Sequence, residues 1–191
     1  MPPDYLVRPG TADDMSAIAA LHAESWRSAY QGLVPDDVLG DGLDAERLQF
    51  WRDRFASPHP DRRAVFVAVG RDVLVGLVCI LADADPAHGP LVDNLHVKPG
   101  WRGHGIGARL LDEARSWSHA IAPGQPMHLW VLEGNVAARR FYRRQGGIER
   151  DRRVEHEGGM AIVSLRCTWG ESAHAHSLTS RRGGAILSWY V

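Results

Sequence analysis

From Thr11 to Tyr30 the apolar positions recur at helical intervals, with Met15, Ile18, Leu21, His22, Ser25, Trp26 and Ala29 on one face. Thr11 with Asp14 three positions on resembles a capping box opening this helix, and Gly32 and Pro35 end it, leaving Trp26 and Tyr30 at its C-terminal end. Asp44 is placed to cap a second helix carrying Leu48, Trp51 and Phe55 in register, which closes before Ser57-Pro58-His59-Pro60. From Ala64 the spacing turns strand-like. Ala64 to Val69 and Val73 to Leu81 flank Gly70-Arg71-Asp72 as a hairpin, and Leu91 to Val97 is a third such run. After the glycines of Gly103 to Gly107, a helix to about His119 turns Ile106, Leu110, Leu111, Ala114 and Trp117 inward. Met127 to Leu132 reads as a strand, Val136 to Gln145 as a helix, and Ile148 to Glu155 with Met160 to Trp169 as a last hairpin. With the short apolar start Tyr5 to Arg8, the order is mixed α/β without repeat or linker: one domain over residues 5–169, then an irregular tail over 170–191. The apolar end of that tail, Ala185 to Val191, is a candidate for docking on its own or another subunit's sheet, which leaves a homodimer open.

Composition narrows the class. The chain has 191 residues, 45% hydrophobic and 24% charged, with no apolar run near the ~18 residues of a membrane helix and no secretory pattern, so a globular chain outside the membrane is expected. A net charge of -1 gives no overall steering toward nucleic acid. Cys79 and Cys167 each fall inside a strand run, which reads as buried core thiols in a reducing cytoplasm. All but one of the 22 basic residues are Arg. Those around Phe141 and Tyr142 read as a solvated helix face, with an Arg-rich nucleic-acid module as the rival. His174 and His176 lack a third ligand, so no metal is expected.

The run from Leu95 to Leu111 carries the chemistry. A strand enters a glycine-rich turn and then a helix, exposing backbone N–H groups at the positive end of the helix dipole. No Asp or Glu stands between Lys98 and Leu111, whereas Lys98, Arg102 and Arg109 do, so the position suits an external anion. Gly103-x-Gly105-x-x-Ala108 also satisfies the dinucleotide fingerprint, but Lys98 to Arg102 separate it from the strand and the nearest acidic candidate, Glu133, lies too far on. Without Gly-Lys-Ser/Thr, a phosphate-loop NTPase is excluded.

Arg102-x-x-Gly105-x-Gly107 resembles the pyrophosphate signature of the GNAT superfamily of acyl-CoA-dependent N-acetyltransferases. Asn135-x-x-Ala138-x-x-Phe141-Tyr142-x-x-x-Gly146 is similar to that family's segment after the fifth strand. The resemblance implies a mixed, mostly antiparallel sheet flanked by helices, and acetyl transfer from acetyl-CoA to a primary amine in a ternary complex. It implies that Leu95, His96 and Val97 pair with the pantetheine arm, that Arg102, Gly103, His104, Gly105, Ile106, Gly107 and Ala108 hold the pyrophosphate, that Asn135 binds the arm from the other side, and that Tyr142 is the general acid. An idle acyl-CoA-binding or regulatory domain of the same fold is the rival. The first candidate base is Asp93, which strict alternation places on one strand face with Leu91, Leu95 and Val97; His96 and His128 are its competitors. Trp26 and Tyr30 are the candidate acceptor-pocket residues, able to stack on a cationic amine. Gly147 departs from the family pattern, which has an aromatic there, and Ile148 is expected to fill that core site. Small-molecule and peptide amines both remain open as acceptors.

Overall fold

A computed structural model describes residues 4–170. Its strands are β1 (Leu6–Pro9), β2 (Arg63–Gly70), β3 (Val73–Leu81), β4 (Leu91–Val97), β5 (Met127–Leu132), β6 (Ile148–Glu157) and β7 (Met160–Trp169). Its α-helices are α1 (Met15–Tyr30), α2 (Leu43–Phe55), α3 (Ile106–Ile121) and α4 (Val136–Arg144). The strands form one 7-stranded open sheet in the order β1-β2-β3-β4-β5-β7-β6, antiparallel except for the β4/β5 pair. The mixed, mostly antiparallel sheet with flanking helices expected from the sequence is thus the observed fold. Residues 171–191, with the apolar end Ala185 to Val191 and the pair His174 and His176, lie outside the described residues.

Each helix buries the face its spacing presents. α1 and α2 cover one side of the sheet, with Ile18, Leu21 and Trp51 against Val65, Val67, Leu77 and Cys79. α3 and α4 cover the other, with Leu110, Leu111, Ala114 and Tyr142 against Val78, Ile80, Val92 and Leu129. At the end of α1, Trp26, Tyr30 and Val34 close over Leu132 of β5 and Ile162 of β7. Thr11 forms the expected capping box with Asp14, whose carboxylate also takes both outer nitrogens of Arg8 at 2.7 Å and is pulled down to about 2 by that guanidinium. Asp44 caps nothing: Gly42 is the N-cap of α2, and Asp44, within the first turn, binds Arg27 at 2.5 Å.

Two local expectations change. Ile148 is 50% exposed and does not fill the site beside Gly147. Trp169 of β7 fills it, edge-on to Tyr142 at 5.9 Å with its indole N–H on Gln145 O at 3.0 Å. A Cβ on residue 147 would come within 2.5 Å of Cys167 Sγ and 2.8 Å of Trp169, so glycine is required by the very aromatic that replaces the missing one. The second change is in β4. Cys79 pairs with Asn94 while Ile80 pairs with Val92, so Asp93 is an extra residue without a partner on β3, a β-bulge. Alternation therefore slips: Val92 and Leu95 both face α3, and Asp93 turns to Arg54 of α2 instead of sharing a face with Leu95.

Candidate active site

β4 and β5 run parallel but pair only at Leu91 and His128, after which the two strands part. Lys98 N–H donates to Val75 O of β3 at 2.9 Å, so strand alternation turns the N–H groups of Leu95 and Val97 the other way, into the gap. A chain lying in that gap would find an unpaired strand edge. Both strands end at the gap's mouth, and each is followed by a helix whose N-terminus lies there, as at the carboxyl ends of parallel strands generally. α3 starts from Gly105 in the left-handed conformation, with no side-chain cap and no acidic residue in its first turn, leaving its first N–H groups to an outside acceptor. Gly103 and Gly105 have φ of +83° and +81°, and a Cβ on Gly103 would meet nothing within 4 Å, so the turn is open toward solvent. Gly107 is small for another reason: a Cβ there would touch Phe141 of α4 at 3.2 Å, which fixes how closely the two helix starts approach. Arg102 rests across this mouth, donating to Val97 O at 3.2 Å and Ser28 Oγ at 3.3 Å. Asn135 at the opposite wall caps α4, accepting from Ala138 N–H at 3.2 Å.

Behind the gap lies a buried polar cluster on the α1/α2 side of β4. Asp93, 1% exposed, accepts from Arg54 at 2.7 Å and from the Asn94 amide at 2.7 Å, while its Oδ1 has no partner among the described residues. Burial raises its carboxyl to about 6 against the pull of Arg54. His96 stacks on His22 of α1 at 4.7 Å, and burial holds His96 down to about 3 and His22 well below its ordinary value, so both are neutral. His22 Nδ1 accepts from the Trp51 indole at 3.1 Å, which leaves its proton on Nε2. His128 lies elsewhere, fully buried near Asp85 and lowered to about 4. Tyr142, in the α3/α4 core, has its phenol raised well above the ordinary value by burial, so it keeps its proton. Trp26 and Tyr30 are enclosed at 1% exposure each, with the Arg47 guanidinium 4.4 Å over the Trp26 ring.

The family pattern described as "Acetyltransferase (GNAT) domain" matches residues 61–146, from the turn before β2 to just past α4. The uncharacterized N-acetyltransferase MJ1530 of Methanocaldococcus jannaschii is 31% identical over 165 residues, covering 84% of this chain and 90% of that protein. The chain belongs to the GNAT family of N-acetyltransferases. Membership makes it an acetyl-CoA-dependent N-acetyltransferase. The probable N-acetyltransferase Rv2775 of Mycobacterium tuberculosis is 29% identical over 147 residues, 75% of this chain and 80% of that one. The PaiA N-acetyltransferase from Thermoplasma acidophilum, solved with coenzyme A, has the same fold at TM-score 0.65 and 16% identity, over 87% of this chain and 99% of that one. In this GNAT domain the residues that sequence reading missed are Arg47 and Arg54. Their signal was available: Arg47, Phe50, Trp51 and Arg54 stand at i, i+3, i+4 and i+7 of α2, the buried face that Trp51 marks. Within the Arg cluster around Tyr142, Arg139 is paired with Glu149 at 2.9 Å and Arg152 with Glu133 at 3.1 Å.

Proposed function

We propose that this GNAT domain transfers acetyl from acetyl-CoA to a primary amine by direct attack in a ternary complex. The observation that carries the reading is the unpaired β4 edge at Leu95 and Val97, opening beside the uncapped N-terminus of α3. The pantetheine arm is read as an added strand on that edge, between Leu95, His96 and Val97 on one side and Asn135 on the other, with the pyrophosphate on the turn Arg102 to Ala108. The open φ-positive glycines and the lack of an acidic residue in that turn support this assignment.

In this reading Asp93 takes a proton from the acceptor ammonium, directly or through water; with its carboxyl at about 6 it is ionised at neutral pH and basic enough to act. The free amine attacks the thioester carbonyl, and the Val97 N–H, turned into the gap, stabilises the oxyanion. As the tetrahedral species collapses, the C–S bond breaks and Tyr142 donates its proton to the leaving thiolate. A thiolate formed in so apolar a place is itself more basic than in water, which favours this transfer from a weakly acidic phenol. The second amine proton, lost from nitrogen as the amide forms, returns Tyr142 to its phenol, Asp93 gives its proton to solvent, and the products are the acetylated amine and CoA. Trp26 and Tyr30, at the end of α1, form the apolar wall on the acceptor side. Free-thiol release on mixing protein, acetyl-CoA and a panel of amines, with mass spectrometry of the acetylated amine, tests the reading. Thiol release that depends on the amine is expected. Tight acetyl-CoA binding with no amine-dependent release across the panel would overturn direct transfer to a primary amine.

A further inference from the structure

Arg47 of α2 is 3% exposed and lies between two rings, its guanidinium 4.4 Å from the Trp26 centroid and 5.1 Å from that of Phe50. Its Nε and Nη1 are buried with no partner among the described residues. Buried guanidinium nitrogens are expensive to leave bare, so a site that keeps two of them in that state is prepared for something. Asp93 lies near enough for the Arg47 charge to lower its carboxyl, but no neighbouring charge other than Glu46 is hydrogen-bonded to Arg47 among the described residues. Asp93 is already held by Arg54 at 2.7 Å, and His22 and His96 are neutral. One carboxylate does touch Arg47: Glu46, 60% exposed, reaches its Nη2. Adjacent residues on a helix point about 100° apart and do not face each other, so Glu46 must bend back to make this contact. A surface carboxylate folded over an otherwise unpartnered buried guanidinium has the form of a stand-in for an anion from outside.

Resting on the acetyltransferase reading above, we propose that the acceptor amine carries an anionic group, a carboxylate or a phosphate, which displaces Glu46 and pairs with Arg47. The rings of Trp26 and Phe50 hold the guanidinium plane in place, so little side-chain freedom is lost on binding. Asp93, with Oδ1 also unpartnered in the same cluster, is the counterpart for the ammonium end. The acceptor is thereby zwitterionic, read at one end by Asp93 and at the other by Arg47.

The test is calorimetric titration of the CoA-saturated full chain with 4-aminobutyrate, 3-aminopropyl phosphate and butylamine. At least one anionic probe should bind about tenfold or more tighter than butylamine, as expected for charge-assisted hydrogen bonds, and the tighter of the two identifies carboxylate or phosphate as the source. Arg47→Met should remove the advantage of the anionic probes over butylamine, and Glu46→Gln, which removes the internal competitor, should tighten the anionic probes alone. Should Arg47→Met not fold, Glu46→Gln and Arg47→Lys, which keeps the charge and loses the planar fork, still decide the matter. Equal binding of all three probes, an Arg47 variant that weakens all three alike, or no binding of either anionic probe to CoA-loaded protein overturns the proposal and leaves the acetyltransferase reading standing. Failure of CoA itself to bind overturns both.

Discussion

Replacing Arg54 by Met should displace the pH dependence of catalysis and of stability together, because both run through Asp93. Burial is the largest influence on that carboxyl and raises it from 3.8 to about 6, with the Arg54 guanidinium at 2.7 Å acting in the opposite direction. An opposite charge this close lowers a carboxyl by ~1–3 pH units, so its removal should raise Asp93 by a similar amount. If Asp93 is the base, the acid limb of kcat/KM moves up by that interval, and Arg54→Met is slow at pH 7 and recovers toward pH 9. The stability sign follows from linkage. A carboxyl raised in the folded state favours the protonated fold, so stability is highest below the unfolded value near ~3.9 and declines as pH climbs through about 6. At roughly 1.4 kcal/mol per pH unit, the decline in the parent protein is about 3 kcal/mol. In Arg54→Met the decline continues to higher pH and deepens by a further ~1–4 kcal/mol. The variant's deficit in urea melts should accordingly be small at pH 5 and large at pH 8.5, and Arg54→Lys should recover most of it. An acid limb that stays in place, or a deficit identical at the two pH values, would refute the coupling.

Tyr142→Phe should lower kcat by ~10²-fold or more with acetyl-CoA affinity intact in calorimetry, since the ring keeps its packing on Phe141 and Trp169. Gly105→Glu places a charged side chain at a φ of +81° and should abolish the acetyl-CoA thermal shift, which in the parent is worth about 2.7 kcal/mol at a hundredfold excess over Kd. Gly147→Ala drives a methyl to 2.5 Å from Cys167 Sγ and should cost about 1–3 kcal/mol, read as a Tm several degrees lower with kcat unchanged.

The parts of the site legible in the sequence are those set by local rules. The Leu91–Val97 and Met127–Leu132 strands and the glycine turn into α3 follow from hydrophobic runs and from residues that adopt positive φ most readily, and they appear where spacing put them. What stayed hidden depends on partners distant in the chain. The bulge at Asp93 is a mismatch in length between β3 and β4, which no periodicity within β4 records. Trp169 reaches the site beside Gly147 from another strand, and His96 finds His22 across the sheet–helix interface. Arg47 was hidden by its type: a guanidinium on a helix reads as solvated unless the aromatic stripe beside it is followed around the turn.

The central claim is that the parted β4–β5 edge and the glycine turn receive acetyl-CoA. Residue-resolved amide exchange with and without acetyl-CoA tests it most directly. Slowed exchange at Leu95 and Val97 of β4 and along Gly103 to Ala108, beyond the general slowing that overall stabilisation gives the β2–β3 hairpin, is the predicted result. Undiminished exchange at Leu95 and Val97 in acetyl-CoA-saturated protein would contradict it.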